Sequence, residues 1–385
     1  MSSRFAIVTR IAALLLTLTV AVPASAPAYT KLGSFDAATG ESSILYWPPT
    51  GGPGREEAGL VISESIFCDD WYDHYGHYDS RFKGHSYVRL RNYTTGEVIV
   101  NITLSIGFSF SSGFVDHDTG TFFIFAHPMD RCTRQPPPNV GSTDGVWQFS
   151  SRDLLTWDYA RTDVDWSGPN TDVARVYARA PQPPNLPQHR YVMITEGATF
   201  AVNNNANGDL TTGWVTLPSA NASVPQCPEG CQCPSVRYVP SDGFYYVVTG
   251  GHNVWLLRSR DLRTWEQPAM RTPFLAPSSD DGLVPSIVGG PQNLERSNRW
   301  YAAHGQNTTS VMLAHLGDWD WNSNDADWCC ESWGGASDVT RSYLIWGPSS
   351  QGKQPGGGLS GPSCMQAIAV AEVPLEKMLQ SYFAP

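Results

Sequence analysis

Positive charge is what this 385-residue sequence has least of: 25 Lys and Arg stand against 36 Asp and Glu, a formal net charge of −11. So acidic a chain has no basic face on which to hold a phosphate backbone, which excludes nucleic acid as a partner. Amphipathic helical periodicity is nearly missing too. The exception is PLEKMLQSYF, where Leu375, Met378, Leu379, Tyr382 and Phe383 recur at helical spacing behind Pro374 and predict a short packing helix. The Walker loop, His-Glu-x-x-His and Gly-x-Ser-x-Gly are also absent, leaving nucleotide-driven, zincin and serine-hydrolase chemistry without support. Long apolar runs are confined to the start, where Arg4 and Arg10 precede Ile11 to Val22 and small residues follow near Ala24, Ala26 and Ala28. That order predicts a secretory signal peptide over residues 1–28, with an apolar run shorter than the ~20 residues of a membrane span. The mature chain, 29–385, has lost two arginines and carries a formal charge of −13. It is expected to be a secreted, extracellular monomer with no membrane attachment.

What the sequence does have is 14 Trp, 16 Tyr and 15 Phe beside 35 Gly and 29 Pro, a mixture that suits many short strands joined by tight turns. One phrase recurs. SRDLLTWD (Ser151 to Asp158) returns 108 positions later as SRDLRTWE (Ser259 to Glu266), and GDLTTGW (Gly208 to Trp214) stands midway with one extra residue. A period of about 54 residues built from short β segments marks a propeller, each unit being one blade. Within the unit, the Asp is expected to cap a turn, and Trp157, Trp214 and Trp265 to pack between adjacent blades. Asp118-Thr-Gly reads as a hairpin tip and Asp116 as a turn residue beside it. The expected fold is all-β, a single five-bladed propeller over 29–385. Its blades lie at roughly 59–107, 108–167, 170–218, 231–272 and 320–373, with residues 276–319 as a connector. Counting the segment before Asp318 as a blade gives a six-bladed alternative.

CPSVRYVPSDGFYYVV, LLRSRDLRTWE and FSSRDLLTWD resemble the blade signatures of the five-bladed propeller glycosidases. That superfamily includes arabinanases, xylosidases, invertase-like enzymes and agarolytic anhydrogalactosidases. The resemblance is good over about 108–272 and looser on the flanks. It implies a glycoside hydrolase acting on an extracellular or cell-wall poly- or oligosaccharide, with a third-blade Glu as acid, a first-blade Asp as base and a further Asp tuning the acid. By similarity to arabinanase-type enzymes, inversion is favoured over retention.

The residues that fit these roles can be named. Glu196 in MITEGATF interrupts an otherwise apolar strand, where desolvation raises a carboxyl pKa, and resembles the third-blade Glu-Gly. For the base, SESIFCDDWYDHYGHYDSRF offers Glu64, Asp69, Asp70, Asp73 and Asp79; Asp70 is preferred, beside Trp71 as a sugar-stacking platform. A surface acidic loop holding a structural calcium is the other use of such a cluster, and no other cofactor is expected. Asp325 is preferred as the third acid over Asp327 and Asp172, with a structural Asx turn as its alternative. Arg237 is placed on a substrate hydroxyl or carboxylate, or in a blade-to-blade salt bridge. His252, with His127 and His304, and Trp328 are further pocket candidates. No family-type aspartate stands at the start of the first blade, so a non-catalytic carbohydrate-binding propeller is the rival reading.

Cys68, Cys132, Cys227, Cys231, Cys233, Cys329, Cys330 and Cys364 make an even set, which in an exported chain favours up to four disulfides over a metal site. Asn92, Asn101, Asn221 and Asn307 begin glycosylation sequons.

Overall fold

The computed structural model describes residues 29–35, 39–47, 59–66, 86–93, 105–130, 140–164, 170–177, 184–219, 232–250, 254–268, 323–330, 339–348 and 366–384, with isolated gaps within these ranges and a few single positions between them. Thr121–His127 is buried at every position, as are Thr171–Arg175 and Tyr191–Thr195. Strands apolar on both faces need cover on both sides, and a ring of stacked sheets supplies it without a large exposed face.

Five antiparallel sheets form among the described residues. Sheet I is β2 (Thr39–Tyr46), β3 (Leu60–Ile66) and β4 (Tyr87–Asn92); sheet II is β5 (Ser109–Asp116), β6 (Thr121–His127), β7 (Trp147–Ser151) and β8 (Asp158–Arg161). Sheet III is β9 (Thr171–Arg175), β10 (Tyr191–Thr195), β11 (Thr199–Asn203) and β12 (Trp214–Thr216); sheet IV is β13 (Gln232–Val239), β14 (Phe244–Gly250), β15 (Trp255–Ser259) and β16 (Trp265–Glu266). Sheet V runs β17 (Ser323–Cys329), β18 (Ser342–Pro348) and β19 (Gln366–Ala371), and its outer strand is β1 (Thr30–Phe35). The inner strands β2, β5, β9, β13 and β17 pack each against the next, and β17 returns to β2. The architecture is a β-propeller closed by its own N-terminal strand. Sheet I begins at Thr39, ahead of residue 59. Its inner strand, TGESSILY, starts with polar residues and so lacks the alternation that marks a strand.

The core is a set of clusters between neighbouring sheets. Ile44 and Ile62 of sheet I meet Tyr343 and Ile368 of sheet V, and Val192 and Phe200 of sheet III meet Val247 and Leu257 of sheet IV. Helix α1 (Leu375–Tyr382) buries Leu375, Met378 and Leu379 in the cluster joining sheets IV and V. At Gly113 the sheets approach so closely that an added Cβ would meet Phe123 O at 2.9 Å and Leu45 Cδ1 at 3.0 Å. Cys329 and Cys330 form a vicinal disulfide; the other six cysteine side chains, like the signal peptide and most of the connector, lie outside the described residues.

The repeated phrase is a turn. Asp153 accepts hydrogen bonds from the N–H of Leu155 (2.9 Å) and Thr156 (2.7 Å) and from Thr156 Oγ1 (2.8 Å). Asp261 does the same with Arg263, Thr264 and Thr264 Oγ1, and Asp209 accepts from the N–H and Oγ1 of Thr211. The Thr156 and Leu155 N–H groups hold the Asp153 carboxyl down at about 2. In both full copies the Leu takes a left-handed conformation, φ 64° at Leu154 and 57° at Leu262, which the Asp hydrogen bonds hold in place. The Trp then anchors the turn. Trp265 stacks on Phe200 of the preceding sheet at 6.1 Å, and Trp214 is buried with its Nε1 donating to Leu210 O at 2.7 Å. Asp116, at the end of β5, is fully buried and accepts from Asp118 N at 3.0 Å and from Tyr191 Oη at 2.5 Å, so it caps its turn and ties sheet II to sheet III.

Because Trp214 is buried where sheets II and III meet, Trp214→Ala should lower the unfolding free energy by about 3–5 kcal/mol. Urea denaturation measures this, and a loss below about 1 kcal/mol would show that the repeat tryptophan is not holding the blades together.

Candidate active site

All five inner strands begin at one end of the propeller, which makes that end the mouth. In four of them the register slips by one residue close to this end: between Thr39 and Ser42, Ser109 and Ser112, Gln232 and Ser235, and Asn324 and Asp327. An extra residue on one strand of an antiparallel pair turns local side chains off the alternating pattern, a device common beside functional sites. The slipped segment of β2 carries Glu41, and that of β17 carries Asp325. Glu41 lies ahead of the first blade expected from the sequence, which began at residue 59; its Glu-Ser-Ser run is echoed by Ser111-Ser112 in β5.

The seams between inner strands are polar near the mouth. Ser43 Oγ accepts from Gly113 N at 3.1 Å and Ser112 Oγ donates to Thr171 O, while Ser63 Oγ, one strand out on β3, meets Ser111 Oγ at 3.3 Å. Asp172 makes the strongest link. Its Oδ2 accepts from Ser235 Oγ (2.8 Å), Val236 N (2.7 Å) and Arg237 Nη1 (2.9 Å), all on β13. Asp172 is 3% exposed and Arg237 2%, so this is a buried ion pair between sheets III and IV. Arg237 thus adopts its blade-to-blade alternative and steadies the mouth through Asp172. The other oxygen of Asp172, Oδ1, is buried with no hydrogen-bond partner among the described residues.

Glu196 follows β10 in a tight turn, not within a strand. Thr195 pairs with Thr171, so the turn lies at the mouth end, one strand out from the axis. Glu196 N donates to Asn170 O at 3.1 Å, and left-handed Gly197 (φ 79°) and Ala198 (φ 58°) return the chain into β11. The side chain is half-buried, and desolvation raises its pKa above the ordinary 4.5. His127 ends β6 opposite Ser109, also at the mouth; burial lowers its pKa despite the opposing influence of Gly145 and Asp144, which keeps the ring neutral over a wider range.

Glu196, Asp172 and the backbone of Asp325 are therefore at one end of the propeller. Strand β3 ends at Ile66, opposite Thr39, also at the mouth. Asp69, Asp70 and Trp71 beyond it lie outside the described residues, as do Asp73, Asp79, His252 and His304. Asp327 and Trp328 are placed as backbone positions in β17 and Glu64 in β3, with side chains outside the description. Among the described residues no group of His, Cys, Asp and Glu is arranged to hold a metal ion, and no helix is long and apolar enough to cross a membrane.

No family model matches this chain, and neither does any curated protein sequence. Solved structures resemble it in part over most of its length. An α-L-arabinofuranosidase from Podospora anserina in complex with cellotriose has a TM-score of 0.48 at 9% identity, covering 90% of this chain and 96% of its own. The catalytic domain of a glycoside hydrolase family 62 α-L-arabinofuranosidase from Coprinopsis cinerea gives 0.47 at 8%, covering 90% and 97%. An exo-β-1,3-galactanase from Phanerochaete chrysosporium gives 0.38 at 10%, covering 90% and 67%.

Asp172→Ala removes the buried carboxylate that accepts from Arg237 Nη1, Ser235 Oγ and Val236 N together, and should cost about 3–5 kcal/mol. Chemical denaturation of the variant provides the check; a variant as stable as the parent would remove the pair from any structural role.

Proposed function

We propose that this protein is a secreted glycoside hydrolase that cleaves an extracellular poly- or oligosaccharide at the propeller mouth, with Glu196 as general acid. The observation that carries the reading is the Glu196 carboxyl, half-buried at the mouth end and shifted upward by desolvation. A group that stays protonated above the ordinary carboxylate range can give its proton to a glycosidic oxygen as the bond to the anomeric carbon breaks. The blade phrases resembling propeller glycosidases and the acidic, aromatic-rich composition point the same way.

The second carboxylate activates the incoming water, whose oxygen bonds to the anomeric carbon while its proton passes to that base. Asp70 takes this role in the proposal and Asp325 tunes the acid from the slipped segment of β17. Glu41, at the matching position of β2, is the base that the register offers if Asp70 stands away from the mouth. Trp71, Trp328 and His252 supply stacking and hydroxyl contacts. The chemistry needs no cofactor; a calcium ion would serve structure.

The acid is active when protonated, so turnover is present below the Glu196 pKa and falls as pH rises through it. Reducing-end release from plant and algal polysaccharides should therefore show an alkaline limb with a midpoint above 4.5. Glu196→Gln should lower kcat by roughly 10²–10⁴-fold while leaving glycan binding in place. Turnover unchanged in this variant removes Glu196 as the acid. Binding with no turnover by the parent chain on any substrate favours the carbohydrate-binding propeller instead.

A further inference from the structure

The repeated turns also wall a groove that the mouth does not use. It has a volume of about 560 Å³ and runs between the outer strands of sheet II and the turn joining β11 to β12 in sheet III. One wall is the Ser151 to Thr156 copy of the repeat, and the other is its shortened counterpart, Asn207 to Thr211. Hydrogen bonds hold sheet II to that counterpart: Asp163 N donates to Thr211 O at 2.8 Å, and Gly213 N donates to Asp163 Oδ2 at 2.7 Å. Ser151 pairs with Phe122 near the Asp116–Thr121 hairpin, so the groove lies toward the end opposite the mouth. Its floor is one face of sheet II. Gln148 pairs with Ala160 and Ser150 with Asp158, so these four side chains share the groove face, while Phe149 and Tyr159 turn to the other.

What this face offers is acceptors without donors. Gln148 is 5% exposed, and its Oε1 is buried with no hydrogen-bond partner among the described residues. The carboxylate of Asp158 is likewise without a partner among them, and Asp209 spends only Oδ1, on Thr211 N and Oγ1. Asp153, held down at about 2 by its own turn, stays ionised. Against these three carboxylates the lining sets a single guanidinium, the exposed Arg152. The charge is spread along the groove: among the described residues no group of His, Cys, Asp and Glu is arranged to hold a metal ion. We propose that the groove binds a linear organic cation, ammonium groups on short methylene spacers, as in a free polyamine or in the lysine side chains of a protein segment. Each ammonium brings three donors and no acceptor, the complement of the Gln148 oxygen and the carboxylates, and Ala160 gives a methylene an apolar neighbour. Anionic ligands meet like charge here, and an apolar one would strip water from Asp158 without pairing it.

Spermidine and a tetralysine peptide are titrated into the full chain by calorimetry at low ionic strength, where exposed charges are least screened. At least one should bind, and which of them binds more tightly tells the free polyamine from the protein segment. Asp158→Asn should weaken that binding about tenfold and Gln148→Met about threefold or more. Glu266→Gln removes the same charge from the outer strand of sheet IV and should stay within about twofold, as should Glu196→Gln at the mouth. Thermal unfolding of the free variants separates a ligand site from a scaffold role. Gln148→Met puts an apolar side chain of similar volume where an amide oxygen was buried unpaired, so the free protein should be at least as stable as its parent. Any of four results overturns the proposal: neither probe binds, Glu266→Gln weakens binding as much as Asp158→Asn, Glu196→Gln abolishes it, or Gln148→Met destabilises the free protein.

Discussion

The pairing of Thr30–Phe35 with Gln366–Ala371 is the interaction on which the rest of the propeller depends. Each sheet is apolar on both faces, so each needs a neighbour on both sides, and the last sheet must meet the first. Only three residues separate β1 from β2. One short segment therefore gives the outer strand of sheet V and the inner strand of sheet I, and it fixes those sheets side by side. With them fixed, Ile44 and Ile62 can cover Tyr343 and Ile368.

Closing the ring creates a second problem at the axis. An inner strand is the edge of its own sheet, so one row of its backbone groups has no ladder partner. Near the mouth this chain answers with side chains. Ser43 takes the N–H of Gly113, Ser112 serves the carbonyl of Thr171, and Asp172 takes the N–H of Val236. The seams that join the blades are thus the same polar layer that lines the approach to the mouth. The Asp172–Arg237 pair goes furthest, placing a full charge of each sign where water is nearly excluded. Such a pair adds little net stability over an apolar contact, but it ties the two sheets to one geometry, because Asp172 Oδ2 serves Ser235, Val236 and Arg237 at once.

The repeat performs a related task at the outer edge. An aspartate satisfying the next backbone N–H groups allows a leucine to sit at positive φ, and the tryptophan that follows is delivered against its own or the neighbouring blade. Since the turn is stabilised from within, its outward surface is free to vary. Between sheets II and III that surface forms a polar groove.

The propeller was legible in the Ser-Arg-Asp-Leu-x-Thr-Trp phrase, and α1 in the spacing of Leu375, Met378 and Leu379. The start of sheet I was not, because the polar layer at the axis breaks the alternation of TGESSILY. Glu196 was singled out by its apolar neighbours, yet its place in a turn outside the inner strand depended on pairing Thr195 with both Thr171 and Thr199. Arg237 was left between substrate and salt bridge until β9 and β13 were brought together. By itself the sequence determined what acts over a few residues: the capped turns, the helix and the blade period, since those bonds join groups close along the chain. Only the tertiary structure decided which acids share a mouth, which charge is neutralised across a seam and where a groove opens. Those contacts join residues 50 or more positions apart, and nothing but the closing of the ring sets their distance.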